Sequence, residues 1–395
     1  MSKKLLIPIV VILLVSGGAA VYLSNSGIDR DEAGGESSPG YPRTVTDFYG
    51  AEVLLEDAPE RVVAAEIEYL AYLGEDVLDR VVWSGKGQGT SPTNLGMIEA
   101  YGLEGVCTMT GKMITMAEQV IAKNPDLVLI SDGQTTPDDR AHFRGILEAA
   151  GINVYFYTSQ SNLFSNSREC LEVNLIPIAE IFAKEKRAQH LIDFIETETE
   201  RLGAMLEDGC GSEQLNVYVA GGAGKSRPNF LGSSPATYHP MLYLDDHAHN
   251  IMYDITDKEY LTMEFETLYQ YESGTDRIDV VFISIGCWDD FKQKWNSDAA
   301  RFKALSPFEA DEVYAVTDWF PRAYMCLGGA YLIAQRICPD ALDGFDAEEL
   351  VRSMMDEFYG STEAGGIVYE HVSQYFRGMT GIDADLFGKV DLEAI

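Results

Sequence analysis

The sequence predicts an α/β protein of two Rossmann-like lobes, each around a central, mostly parallel sheet, joined by one long connecting helix. Three observations predict it. Short apolar runs alternate with helical patterns, as strands buried on both faces by helices require. A long helical pattern, Lys184 to Glu207, divides the chain. The segments after it repeat the order of those before it.

The chain opens with Lys3 and Lys4 ahead of the apolar run Leu5 to Leu23. A run of about 19 residues is near the length that spans a bilayer. Residues 1–28 therefore read as a signal peptide, with Ala19-Ala20 as small residues for cleavage, or as an uncleaved membrane anchor, which is preferred. Both place the remainder outside the cytoplasm, at the outer face of the cell membrane or in a periplasm, because the positive charge stays inside. Residues 29–40 (DRDEAGGESSPG) are small, polar and turn-rich and read as a flexible linker. The remaining boundaries fall at 41–165 for an N-terminal lobe, 166–207 for a helical connector and 208–395 for a C-terminal lobe.

Within the first lobe, TVTDFYGAEVLL predicts a β-hairpin turning at Asp47 to Gly50. The runs Val62 to Ala65, Val81 to Trp83, Leu127 to Ile130 and Val154 to Tyr157 predict buried strands. Thr115 to Lys123 and Asp138 to Ala150 predict helices, the second stopped by Gly151. The connector begins with a helix from Asn166 to Ala183 containing Pro177, a possible kink. Its second piece, from Lys184, spaces Ala188, Leu191, Ile192, Ile195, Leu202 and Leu206 at near-helical intervals. In the second half, FETLYQYESGTDRIDVVFIS echoes AEQVIAKNPDLVLIS: a helix with an early glutamate, a turn, an aspartate opening a buried strand, and a closing Ile-Ser. DEVYAVTD echoes GINVYFYT in the same order.

Composition excludes some functions. There are 29 bases against 63 acids, a formal charge of −34, which repels nucleic acid and reads mostly as solvated surface. The six cysteines show no CxxC and no zinc spacing; they read mostly as buried free thiols, and their scatter identifies no pairs. No Ser/His/Asp, Cys/His or paired-carboxylate motif is recognisable, which agrees with a binder rather than an enzyme. GGAGKS, Gly221 to Ser226, lacks the spacing of a phosphate-binding loop, since position 219 is Val219.

The hairpin segment, AEQVIAKNPDLVLIS, ILEAAGINVYFYT, the helix ending ERLGAML, and FKALSPFEADEVYAVTD with LGGAYLIAQRICPDAL together resemble the cobalamin/iron-siderophore class of ABC-transporter substrate-binding proteins, from about Thr44 to Gly360. The resemblance implies two lobes, a ligand held between them, an ABC permease with its ATPase as partners, a monomer, and no cofactor. The family's lipoprotein cysteine is missing here. The implied ligand is a metal chelate, an iron–siderophore being favoured over cobalamin, another corrinoid or haem. An enzyme or chelatase on the same scaffold, or a surface-anchored scaffold protein, are the rival readings.

Ligands of open α/β sheets sit at the C-terminal ends of strands. The loops expected there present Lys86 and Lys112 on the first lobe and Arg227, Phe230, Trp288, Trp319, Arg322 and Tyr324 on the second. Cations suit the carboxylates or phosphates of a chelate, and aromatics suit its flat, apolar parts. By resemblance, Glu118 and Glu266 are the permease-docking glutamates. HPMLYLDDHAHN carries metal-ligating residue types but reads as a polar surface turn, with no metal expected.

Overall fold

The computed structural model describes residues 40–85, 92–131, 135–158, 166–211, 214–221, 230–233, 239–255, 261–272, 277–317 and 323–395. The chain divides after Gly40, the remainder, Tyr41–Ile395, being one compact unit. The expected anchor and all but the last residue of the linker lie outside the described residues. Among the described residues, no helix is long and apolar enough to cross a membrane.

Strands β1 (Arg43–Thr46) and β2 (Glu52–Leu55) form the expected hairpin, with Gly50 at φ 81°, a conformation glycine takes without steric cost. β3 (Val62–Ala64), β4 (Val81–Ser84), β5 (Leu127–Ser131) and β6 (Asn153–Tyr157) form a parallel sheet in the order β4-β3-β5-β6. β7 (Leu215–Ala220), β8 (Ala248–Asn250), β9 (Val280–Ser284) and β10 (Val313–Val316) form a second parallel sheet, β8-β7-β9-β10. A last strand, β11 (Phe387–Lys389), adds antiparallel to β10. The two parallel sets share one winding order.

The repeat extends to single hydrogen bonds. Asp126, directly before β5, accepts from the amides of Glu60 and Arg61 at 2.7 and 3.0 Å, at the entry to β3. Asp279, directly before β9, accepts from the amide of Asn216 in β7 at 2.9 Å. Each aspartate thus fastens the start of the neighbouring strand in its own lobe. Its occurrence in both copies makes the echo in the sequence a structural one.

Helices α1 (Glu68–Leu73), α2 (Pro92–Ala100), α3 (Ala117–Ala122) and α4 (Pro137–Ala149) belong to the first lobe. A reciprocal capping box of Thr136 and Asp139 starts α4, and Gly151 at φ 77° follows its end. The connector is two mutually packed helices, α5 (Ser167–Phe182) and α6 (Glu185–Gly209); α5 runs on through Pro177, and the chain turns at Ala183 in a left-handed conformation. The second lobe carries α7 (Phe265–Glu272), α8 (Trp288–Ser297), α9 (Ala323–Ile337), α10 (Ala347–Phe358) and α11 (Thr362–Thr380).

Strand side chains alternate between two buried faces, as a covered parallel sheet demands. On β5, Leu127 and Leu129 enter one core while Val128 and Ile130 enter another. On β7, Val217 and Val219 join the same core as Leu127, and Tyr218 and Ala220 face a third. The shared core continues through Leu171, Leu175 and Ile178 of α5 and Leu191, Ile192 and Ile195 of α6. One apolar interior therefore runs from the first sheet through the connector to the second.

The acidity carries a pH prediction. Burial raises the carboxyl pKa of Asp245, Glu348 and Asp356 above the ordinary value. Between the ordinary and the raised value the folded chain holds more protons than the unfolded one, so stability falls as pH rises through that window. Glu357, where hydrogen bonds from Arg187 and His190 outweigh burial, and Asp139, held down by Thr136, act oppositely but only lower in pH. Thermal unfolding is expected at a lower temperature above that window than within it, and salt should raise the midpoint by screening the −34 charge. A midpoint that climbs from the lower to the higher pH would contradict this.

Candidate functional site

Within each sheet the parallel strands end at a common edge, where the following loops gather. The first edge is marked by Glu66 after β3, Gly85 after β4, Ser131 at the end of β5 and Thr158 after β6. The second is marked by Gly221 after β7, the Ile285–Cys287 turn after β9 and Thr317 after β10.

Helix α11 links the second edge to a helix of the first lobe. It packs along α2, which follows the loop after β4, and it touches α8 and the Ile285–Cys287 turn. Its nineteen residues give about 28 Å of helix. Its contact with α2 is close: a Cβ on Gly96 would stand 2.7 Å from Val368 Cα. His371 Nε2 lies 2.7 Å from a Glu99 carboxylate oxygen, and Tyr101 Oη donates to the Tyr359 carbonyl at 2.6 Å. From the connector, Arg187 donates to the Tyr72 carbonyl at 3.0 Å and to Glu357 at 2.8 Å, joining first and second lobes.

Gly96→Ala should therefore cost about 1–2 kcal/mol, the overlap with backbone outweighing alanine's better helix propensity. Gly145 in α4, whose Cβ would meet nothing within 4 Å, is the control. Gly145→Ala should stabilise by about 0.5–1 kcal/mol. Opposite signs in urea unfolding are the expected result, and equal signs would refute the close contact.

The first edge rests on a buried polar set. Tyr72 Oη donates to Glu68 at 2.6 Å. Asn174 of α5 donates to Tyr69 Oη at 3.1 Å and accepts from the Thr158 amide at 3.2 Å, gripping the exit of β6. Tyr69 Oη and Cys170 Sγ lie 3.6 Å apart. Burial pushes the Cys170 thiol up to about 11 and raises Cys326 as well. Both stay protonated near neutral pH and are poor nucleophiles or metal ligands there.

The predicted site residues part company. Lys112 is exposed at the first edge, in the turn before Met113. Lys86, Arg227, Trp319 and Arg322 lie outside the described residues. Phe230, Trp288 and Tyr324 are corrected to core positions. Phe230 is fully buried among the rings of Tyr218, Phe291 and Phe302, and its amide donates to Asp290 at 2.7 Å. Trp288 is 1% exposed and packs on Phe291. Tyr324 is fully buried against Phe358, its hydroxyl 3.0 Å from that of Tyr359. Aromatic side chains after strand ends turn under the edge because the apolar area they bury there exceeds what one ring gains at a rim.

Glu118 and Glu266 are exposed in the first turns of α3 and α7, equivalent places in the two lobes, and Glu266 pairs with Arg301 at 2.5 Å. The contribution of 361–395 went unread in the sequence. Its signals were Ser361 as a helix N-cap and the spacing of Val368, Val372 and Phe376. A cavity of about 650 Å³ between Lys303, Asp311 and Lys389 opens at the opposite, strand-entry edge of the second sheet, where this architecture places no ligand.

The sequence pattern of the periplasmic binding protein family matches residues 75–237. No curated protein sequence matches the chain. Among solved structures, it is similar to molybdate-bound MolA of Haemophilus influenzae, with a TM-score of 0.61, 16% identity, and coverage of 81% of this chain and 98% of that one. The TroA-like periplasmic binding protein FepB of Veillonella parvula gives a TM-score of 0.61 at 15% identity, covering 89% of this chain and 100% of that one. CeuE of Helicobacter pylori, as a nickel–histidine complex, gives 0.57 at 15% identity, with 82% and 97% covered. At these identities the likeness shows the fold.

Proposed function

We propose that this chain, which belongs through residues 75–237 to the periplasmic binding protein family, is the extracytoplasmic receptor of an ABC importer and captures a metal chelate between its two sets of strand ends. The observation that carries the reading is the duplicated sheet, with α11 joining the second edge to α2 of the first lobe. Such edges are where α/β folds take ligands, and two of them brought together form a cleft. The continuous core through the connector supports capture with little hinge bending.

The ligand class follows from charge. In a chain of −34, an exposed lysine at the first edge supports an anionic ligand, and Lys86, Arg227 and Arg322 add three more cations in the loop segments assigned to these edges. The favoured cargo is an iron–siderophore. Corrinoids and haem, and the molybdate and nickel–histidine of the similar structures, are the competitors. Tryptophan quenching against ferric siderophores, haem, corrinoids, molybdate and nickel–histidine tests the reading. Tight binding without conversion supports the receptor. Turnover of any compound would make it an enzyme, and no binding across the panel would remove the receptor role.

Delivery is assigned to Glu118 and Glu266, one exposed carboxylate on each lobe. Glu118→Lys with Glu266→Lys should lower uptake through the permease by at least about tenfold and leave ligand affinity unchanged. Undiminished uptake would exclude these two as docking points.

A further inference from the structure

The turn carrying HPMLYLDDHAHN holds more than a polar surface. His247 stands beside Cys210 and Cys338, and the ligand atoms of the three lie within 4.8 Å of one another. The two cysteines are joined as a disulfide, with Cα atoms 4.9 Å apart. We propose that in its dithiol form this chain binds one zinc-type divalent cation through both sulfurs and the His247 imidazole, leaving a fourth position for water.

The three ligands come from separate elements that are fixed independently of the S–S bond. Cys210 closes α6, its amide bonded to the Leu206 carbonyl at 3.0 Å. Cys338 follows α9, its amide bonded to Ala334 at 2.8 Å. His247 leads into β8, donating to Leu244 at 2.8 Å and accepting from Leu215 at 3.0 Å. Next to Cys210, a Cβ on Gly209 would lie 2.5 Å from Ala341 Cα, so these two stretches of backbone touch. Reduction therefore leaves the ligand carriers in place.

A tetrahedral zinc centre sets its sulfurs about 3.8 Å apart and each about 3.6 Å from the imidazole nitrogen. Rotating either cysteine about χ1 opens that separation without moving backbone. Two thiolates and an imidazole select zinc and its softer neighbours and reject magnesium and calcium. Cys338 is buried while Cys210 and His247 are half-buried, so the site is sheltered and still reachable by an ion.

The chemistry balances in two steps. A dithiol donor gives the disulfide two electrons and two protons, the S–S bond breaks, and the donor leaves as its own disulfide. The cation then displaces both thiol protons to solvent. The same cluster closes either as a disulfide or around a metal.

The full chain, reduced with a phosphine and titrated with Co²⁺, tests this, with Zn²⁺ as competitor. The expected result is one equivalent bound with a thiolate-to-cobalt charge-transfer band, displaced by Zn²⁺ and absent from the oxidised chain. His247→Ala should weaken binding by at least about tenfold, and Cys338→Ser should abolish the band. Affinity should rise by up to about 100-fold per pH unit below the thiol pKa, two protons leaving per cation. His247→Ala retains the disulfide, so it decides the matter even if the serine variant does not fold. A reduced chain without the band, or one whose affinity is unchanged by His247→Ala, would overturn the assignment.

Discussion

Asp47→Ala should remove about 3–5 kcal/mol of folding stability, as a drop in the urea midpoint at unchanged m. The Asp47 side chain is fully buried at the turn of the first hairpin. Its carboxylate accepts from the amides of Tyr49 and Ala51 at 2.9 Å each, reaches the Phe156 amide in β6 at 3.4 Å, and is ion-paired with Arg144 of α4. Arg144 stands over the Phe156 ring, 5.3 Å from its centre, and is itself only 17% exposed. Alanine leaves three amides without their acceptor and the sheltered guanidinium with only the Glu148 carboxylate, 3.8 Å away, and an unmet buried group costs more than a made bond contributes. Asp47→Asn, which retains an acceptor for the turn amides, should recover about 1–2 kcal/mol. Adding Arg144→Leu to Asp47→Ala should cost less than the sum of the two, because both break one interaction. Additive losses would mean that the pair does not act as a unit.

That network shows what can be read from sequence and what cannot. The hairpin turn was visible in Asp-Phe-Tyr-Gly, because turn chemistry is local. Its ion-pair partner lies 97 positions away, and nothing near Arg144 marks it. The same division holds through the chain. The strand runs matched β3 to β6 to within a residue, since residues buried on both faces leave an unbroken apolar signal. Asp126 and Asp279 were visible as a repeat, but the bonds by which they fasten β3 and β7 were not. For Phe230, Trp288 and Tyr324 the residue type was ambiguous: an aromatic after a strand serves a ligand or a core equally well, and the dense rings of the second lobe decided for the core. Lys112, the one cation of the predicted site set among the described residues, is exposed, since a lone charge cannot be satisfied inside.

Converting Cys210 and Cys338 together to serine should cost about 4–5 kcal/mol. Their sequence separation is 128, and the loop-closure entropy removed from the unfolded chain grows with the logarithm of that length. The variant's unfolded state should also be more open, so its m-value in guanidinium should rise as its midpoint falls. Comparison with the oxidised parent tests this, and an unchanged midpoint would show the crosslink to be energetically idle. His247→Ala in the oxidised protein should change the folding stability by less than about 0.5 kcal/mol, separating the loss of the crosslink from disturbance of its surroundings. The position matters as much as the size. The bond joins the end of the connector to the end of α9, the helix through which the second lobe meets both α5 and α6. Cutting it should loosen the connector from the second lobe before either sheet melts. Amide exchange should therefore quicken first near residues 200–211 and 334–342, and only later in β5 and β9.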